Sequence, residues 1–412
     1  MKFKSFSLLL LGALCLGAAA LAADAPKLPV GPDTPIMAIS SLRAANGRTA
    51  TLGKWSNSYR KERFSISGDG VITVDNTDAR LHPYFSMVDD AMLADPPRYL
   101  VVEWKSRVLE HAPDDHALVV VNSFARIGGK GSWEQQIRFS KTELKTLQSS
   151  TEGNFGEWHT FRLAQDNLSG AFALWMDGKL VASGITRGGS TRTKPFFYIG
   201  DGSRDTIKGK AEFEYVVIGV PDPGAVPIKE IAGLRVADGR IVETGKWENK
   251  YKPEYMMFDG NAVKLIHDSG VKGADYMALY CQNEEIIDTP PKFLAVEWKS
   301  RVLTEGESLL TAVAPARPDK GAWEMQLIFS PGELAYNRTK LAGNFREFHT
   351  FRLVQYTPNG AFGLWIDGKL VASGLTLDGS ARPKPFLFIG DGSGRIAGQA
   401  EVEYLVAGSV GE

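Results

Sequence analysis

The sequence predicts an all-β protein built as two tandem antiparallel jelly-roll β-sandwiches. Three observations predict it. One half of the chain repeats in the other, the repeated blocks alternate apolar and polar residues, and turn-forming residues separate them, with 43 glycines among 412 residues. No stretch carries a long helical stripe.

The chain opens with Lys2 and Lys4, an apolar run from Phe6 to Leu16, and Ala20-Leu21-Ala22 before Ala23. A short basic start, an apolar run too short to span a bilayer and a small-residue cleavage site read as a signal peptide over 1–22. Export to the periplasm or the exterior is therefore expected. Cys281 is then the only cysteine of the mature chain, so the fold relies on its core and not on an internal disulfide. The 47 basic and 48 acidic residues nearly cancel, and no basic block stands out. Nucleic acid and anionic membrane are poor partners for such a surface, and no membrane span is expected.

The repeat sets the domains. Val102–Leu109 recurs unchanged as Val296–Leu303, His159–Leu163 as His349–Leu353, and Leu174–Gly184 recurs with one change as Leu364–Gly374. The offset is 192 residues from Trp55 to Trp247, 194 from Trp104 to Trp298 and 190 from Trp175 to Trp365. Insertions fall between matched blocks, where surface loops tolerate them. The boundaries expected are an N-terminal segment at 23–38, a first domain at 39–220, a proline-rich linker at 221–230 and a second domain at 231–412.

Strand signals fill each copy. Trp133, Gln135, Ile137 and Phe139 share one side of a strand, while Glu134, Gln136 and Arg138 take the other. Asp177-Gly178 between two strand-like runs predicts a hairpin. Ser140–Leu147 and the matching Pro331–Ala335 are each expected to hold a short helical turn. Copies of about 180 residues suit a two-sheet jelly roll better than an immunoglobulin-like domain near 100.

The block order Trp158–Leu163, Ala173–Lys179, Phe197–Ser203 and Ala211–Tyr215 resembles the concanavalin A-like lectin/glucanase superfamily, and within it laminin-G-like domains of bacterial exported proteins. The resemblance implies the jelly roll and leaves function open, because that fold hosts lectins, hydrolases, lyases and adhesion modules. The Glu-x-Asp-x-(x)-Glu strand of retaining glucanases is absent. Glu103–Arg107 and Gln136-Ile137-Arg138 faintly resemble two of the three strand motifs of alginate lyases, and the third is missing.

Candidate site residues come from the alternation. Glu103, Lys105 and Arg107 share a face, as do Glu297, Lys299 and Arg301, and each row suits sugar hydroxyls or carboxylates. The same rows suit a solvated face of ion pairs. Glu134 and Gln136, with Glu324 and Gln326, stand on the solvent side of their strands. Trp175 and Trp365 have the parity of an outward face, where an indole would stack on a sugar ring. Together these twelve form the expected ligand-binding set. Glu212 with Glu214, and Glu401 with Glu403, place two carboxylates on one strand face. Glu110, His111, Asp114, Asp115 and His116 cluster in one loop. No cofactor is expected, apart from Ca²⁺ as a possible ligand of Asp201 and Asp391 in their Gly-Asp-Gly turns. His159 and His349 read as satisfied core histidines. The function expected is non-catalytic glycan recognition through tandem sites that act by avidity. A glycoside hydrolase or polysaccharide lyase is the alternative, and a structural or protein-binding envelope protein is a third.

Overall fold

The structure, a computed structural model, describes residues 28–57, 63–77, 83–112, 115–186, 195–200, 208–250, 255–267, 278–318, 321–376, 385–390, 396 and 398–411. The expected signal peptide, Asp114, Asp201 and Asp391 lie outside the described residues. No helix among the described residues is long and apolar enough to cross a membrane. The chain divides into two compact units. The first runs to Pro221 without Met37–Ile39, which group with the second, and the second continues from Asp222.

Among the described residues each unit is an antiparallel jelly-roll sandwich of a nine-stranded and a seven-stranded sheet. In the first unit the larger sheet runs Lys179–Ile185, Ala171–Met176, His159–Asp166, Tyr99–His111, Gly209–Pro221, Ile36–Ala45, Arg48–Leu52, with a hairpin of Phe64–Ile66 and Ile72–Asp75 added on Gly209–Pro221. The smaller sheet runs Ser150–Glu152, Glu143–Lys145, Ser132–Phe139, Leu118–Ala125, Phe196–Gly200, Tyr84–Met87, Trp55–Asn57. The second unit repeats both orders, with Phe293–Val302 in the place of Tyr99–His111 and Met325–Ser330 in the place of Ser132–Phe139.

Alternation builds the cores. Along Tyr99–His111, Val102, Trp104 and Val108 are buried between the sheets while Glu103, Lys105 and Arg107 turn outward. Trp104 stacks on Phe161 with ring centroids 5.3 Å apart and meets Phe139 edge-on at 6.2 Å. Trp298 repeats this on Phe351 and Phe329. Aromatic pairs of this kind add to a burial of about 150–250 Å² per ring.

The Asp-Gly hairpins form as expected. Asp177 and Gly178 both take positive φ, 49° and 79°, as a type I′ turn requires. Asn46-Gly47 and Asp238-Gly239 make the same turn in the first hairpin of each unit. The short helical turns do not form. Glu143–Lys145 and Glu333–Tyr336 are strands, each paired back onto the strand before it. The Ser140 hydroxyl accepts the amides of Thr142 and Glu143, which turns the chain for pairing instead of starting a helix.

The segment read from its prolines as a linker packs on the second unit. Gly224 lies against the Trp365 indole, so closely that a methyl group there would sit 2.2 Å from Nε1. The Arg352 guanidinium donates to the carbonyls of Gly224 and Val226 at 2.5 and 2.8 Å. The first unit has the same strap ahead of its first strand. Val30 packs with Trp175, Val101 and Ala173, and Arg162 Nη1 donates to the Thr34 carbonyl at 2.7 Å.

Candidate functional site

The expected site residues fall on two different outer faces. Glu103, Lys105, Arg107 and Trp175 belong to the larger sheet of the first unit, whereas Glu134 and Gln136 belong to the smaller one. In a sandwich the outer faces of the two sheets point in opposite directions, so one ligand site cannot use both sets.

On the larger sheet every member of the charged row has an opposite charge beside it. Glu103 accepts from Arg162 Nη2 at 2.6 Å and from the Tyr215 hydroxyl at 3.0 Å. Lys105 meets Glu214 at 2.8 Å, and Arg107 meets Glu212 at 2.7 Å. The second unit repeats the set as Glu297 with Arg352 and Tyr404, Lys299 with Glu403, and Arg301 with Glu401. Burial and the adjacent Glu103 carboxylate push the Tyr215 hydroxyl up to about 12, so it stays a donor. Trp158 lies under Arg107 and Lys105, and Phe348 lies under Arg301 and Lys299. The carboxylates of Glu212, Glu214, Glu401 and Glu403 are thus spent on these cations. The rows form braces between neighbouring strands.

Trp175 and Trp365 do face outward on that sheet, but the straps cover them, leaving 9% and 1% of each exposed. An open stacking platform for a sugar ring is not formed there. The alternation that placed the indoles outward was right about the face, and the strap supplied a cover from outside the strand.

The smaller sheet of the first unit carries a different surface. Cross-strand partners share a face, so the register defines it. Gln136 stands opposite Val121, Val121 opposite Tyr198, and Tyr198 opposite Ser86. Arg138 stands opposite Val119, Val119 opposite Gly200, and Gly200 opposite Tyr84. Glu134 stands opposite Ser123, and Ser123 opposite Phe196. Along the strand the polar groups form a ladder. Gln136 Nε2 donates to Glu134 at 2.6 Å, and Arg138 Nη2 donates to the Gln136 carbonyl at 3.1 Å. Two strands away, across the buried Val119 and Val121, the buried Tyr198 pairs with Tyr84 at 5.3 Å and stacks on Phe196 at 5.9 Å. Glu134, Gln136, Arg138, Tyr84 and Phe196 are all half-buried. The second unit keeps Glu324 and Gln326, bonded to each other, on the matching face.

No family model matches the chain, and no curated protein matches it. Solved structures do. The conserved carbohydrate esterase of the Shiga toxin-encoding bacteriophage phi24B is 12% identical over 46% of this chain and 100% of its own, with a TM-score of 0.31. A Bacillus licheniformis β-glucanase is 14% identical over 43% of this chain and 97% of its own, at 0.29. An alginate lyase of polysaccharide lyase family 7 is 13% identical over 43% and 92%, also at 0.29.

The remaining candidates take structural places. His159 and His349 are not core residues but half-buried clamps. His159 Nδ1 meets Asp177 at 2.6 Å and Nε2 meets the Asn154 carbonyl at 2.9 Å, and the Thr160 amide donates to the same Asp177. Both ring nitrogens face acceptors, an arrangement that favours the doubly protonated imidazolium. Burial works against that charge, yet the Asp177 carboxylate and the Asn154 carbonyl outweigh it and raise the imidazole above its usual value. His349, Asp367 and Asn344 repeat the clamp. Among the described residues no group of three or more His, Cys, Asp or Glu comes together to hold a metal. Cys281 is buried, and burial pushes its thiol up to about 11, which leaves it unreactive.

Proposed function

We propose that the chain is an exported, non-catalytic glycan-binding protein whose principal contact surface is the outer face of the smaller sheet in the first unit. One observation supports this reading. A carboxylate, an amide and a guanidinium stand in hydrogen-bonded sequence, Glu134, Gln136 and Arg138, on the face that also carries the half-buried rings of Tyr84 and Phe196, packed on the buried Tyr198. Sugars offer hydroxyls around an apolar ring face. Polar groups fixed by one another, on a face that also carries aromatic rings, match both features with little ordering cost.

The proposal moves the ligand-binding set. Glu134 and Gln136 keep their expected role, Arg138 joins them, and the rows of Glu103, Lys105, Arg107, Glu297, Lys299 and Arg301 become braces. A glycan array probed with the mature protein tests it. Specific binding that falls in Glu134→Ala and Gln136→Ala supports the reading. An empty array, or release of reducing ends or unsaturated uronates from the same glycans, overturns it.

A further inference from the structure

The two units are not equivalent on the proposed face: three positions are more basic in the first unit, whereas Ser150 is matched in the second by Lys340, which Glu333 neutralises at 2.9 Å. Arg138 stands directly opposite Lys145 on the neighbouring strand. Like charges in that position repel. The matching pair in the second unit is Ile328 opposite Ala335. Before the next strand, the Ala117 amide donates to the Phe139 carbonyl as the Ser308 amide donates to that of Phe329. The residue ahead of each is therefore equivalent, His116 in the first unit and Glu307 in the second. Three positions that are basic in the first unit are apolar, apolar and acidic in the second.

Arg138 also differs from the six cations that brace the larger sheets. Lys105, Arg107, Arg162, Lys299, Arg301 and Arg352 each have a carboxylate oxygen at 2.6–2.8 Å. Among the described residues Arg138 has only the Gln136 amide oxygen, at 3.1 Å. His116 is drawn into the same field. Burial and then the Arg138 charge lower its imidazole, with Lys145 adding to them, while Glu143 and Asp115 act against them. Its Nε2 is buried without a hydrogen-bond partner. A half-buried guanidinium held against a second cation, with no carboxylate of its own, is the state of a site whose anion comes from outside.

We propose that Arg138 and Lys145 bind the carboxylate or sulfate of an acidic glycan, so that the first unit recognises anionic sugar and the second does not. The inference rests on the glycan reading above and names its substrate class. The planar fork of Arg138 accepts either oxyanion in bidentate fashion, and Lys145 adds a point charge from the exposed side.

Calorimetric titration of the full mature chain separates the possibilities. The ligands are polygalacturonate against its methyl ester, and dextran sulfate against dextran. The expected result is binding to an acidic member of either pair and little to its neutral twin, with one site per chain. Which pair responds tells carboxylate from sulfate. Transplanting the second unit's residues, Arg138→Ile with Lys145→Ala, should weaken this binding tenfold or more, the usual scale for a charged bidentate contact. The same variant should melt no lower than the parent, because a repulsion is removed. If it fails to fold, Lys145→Glu at its exposed position carries the test and should likewise weaken binding. Unchanged affinity in either folded variant overturns the proposal. Binding to neutral glycans alone overturns it and leaves the glycan reading standing, whereas binding to no glycan overturns both. Equal affinity for duplex DNA overturns it in favour of unselective polyanion attraction.

Discussion

Arg301 and Glu401 lie 2.6 Å apart on adjacent strands, and the carboxylate so held is only 6% exposed. The matching Glu212, held by Arg107, is 14% exposed. Both arginines neutralise a carboxylate that water reaches poorly, so removing either leaves a desolvated negative charge. Arg301→Ala should cost about 2–4 kcal/mol and Arg107→Ala about half that, with glycan binding unchanged in both. Urea unfolding measures the first quantity and titration the second. A loss of binding without a loss of stability would return the row to the role of ligand site.

Arg162 joins two structures, donating to the Glu103 carboxylate on one side and to the Thr34 carbonyl on the other. Arg162→Ala should free the strap before it unfolds the sandwich. Limited proteolysis should then cut between Leu28 and Pro35 at a protease dose that leaves the parent intact. A variant as resistant as the parent would show that Val30 and Trp175 hold the strap by packing alone.

Gly224 is defined by the Trp365 indole that it touches. Gly224→Val places atoms where the ring stands and must lift the strap or displace the tryptophan. The expected loss is about 1–3 kcal/mol, the usual scale for overpacking. Gly239→Val, in a turn with open space around it but a φ of 67°, is the control for backbone strain without a clash. Thermal melts of the two variants and of Trp365→Ala compare the effects.

The His159–Asp177 and His349–Asp367 clamps make stability depend on pH. The histidines are raised in the folded state, so their contribution is complete below the unfolded value near 6.5 and is lost as pH rises through the folded value. The aspartates are lowered, so theirs is present above the unfolded value near 3.9 and is lost as pH falls through the folded value. The melting temperature should therefore decline as pH rises above about 6.5. His159→Gln with His349→Gln should flatten that decline. A parent melt that is constant from pH 6 to 9 would remove the clamp from the account.

Much of the fold is local and was legible. Trp104 alternates with Glu103 and Lys105 because a strand demands it, and Asp177-Gly178 turns because both residues tolerate positive φ. The partners of the charged row were not legible. Arg107 meets Glu212 across 105 residues, and nothing in either segment announces the other. Sheet membership was hidden for the same reason. Glu103 and Glu134 both read as outward, and only the strand order shows that they face away from each other. The contacts of the 221–230 segment were not legible either, because its prolines signal only stiffness, whereas its carbonyls at Gly224 and Val226 accept from Arg352. Arg138 did leave a signal in the sequence. It stands where the other copy has Ile328, a difference that acquires meaning only once Lys145 is seen opposite it.

The strap has a consequence for how such a chain is assembled and taken apart. Gly224 lies on the indole of its own unit, and the carbonyls around it bond Arg352, so this stretch belongs to the module that follows it. Each module begins with its own lid. A duplication event that copies one module copies its joint as well, and further modules can be added in series without inventing connecting sequence. For the same reason a recombinant second half must start no later than Asp222. A cut a few residues downstream, at 231, would remove Gly224 from the Trp365 ring and the carbonyls that bond Arg352.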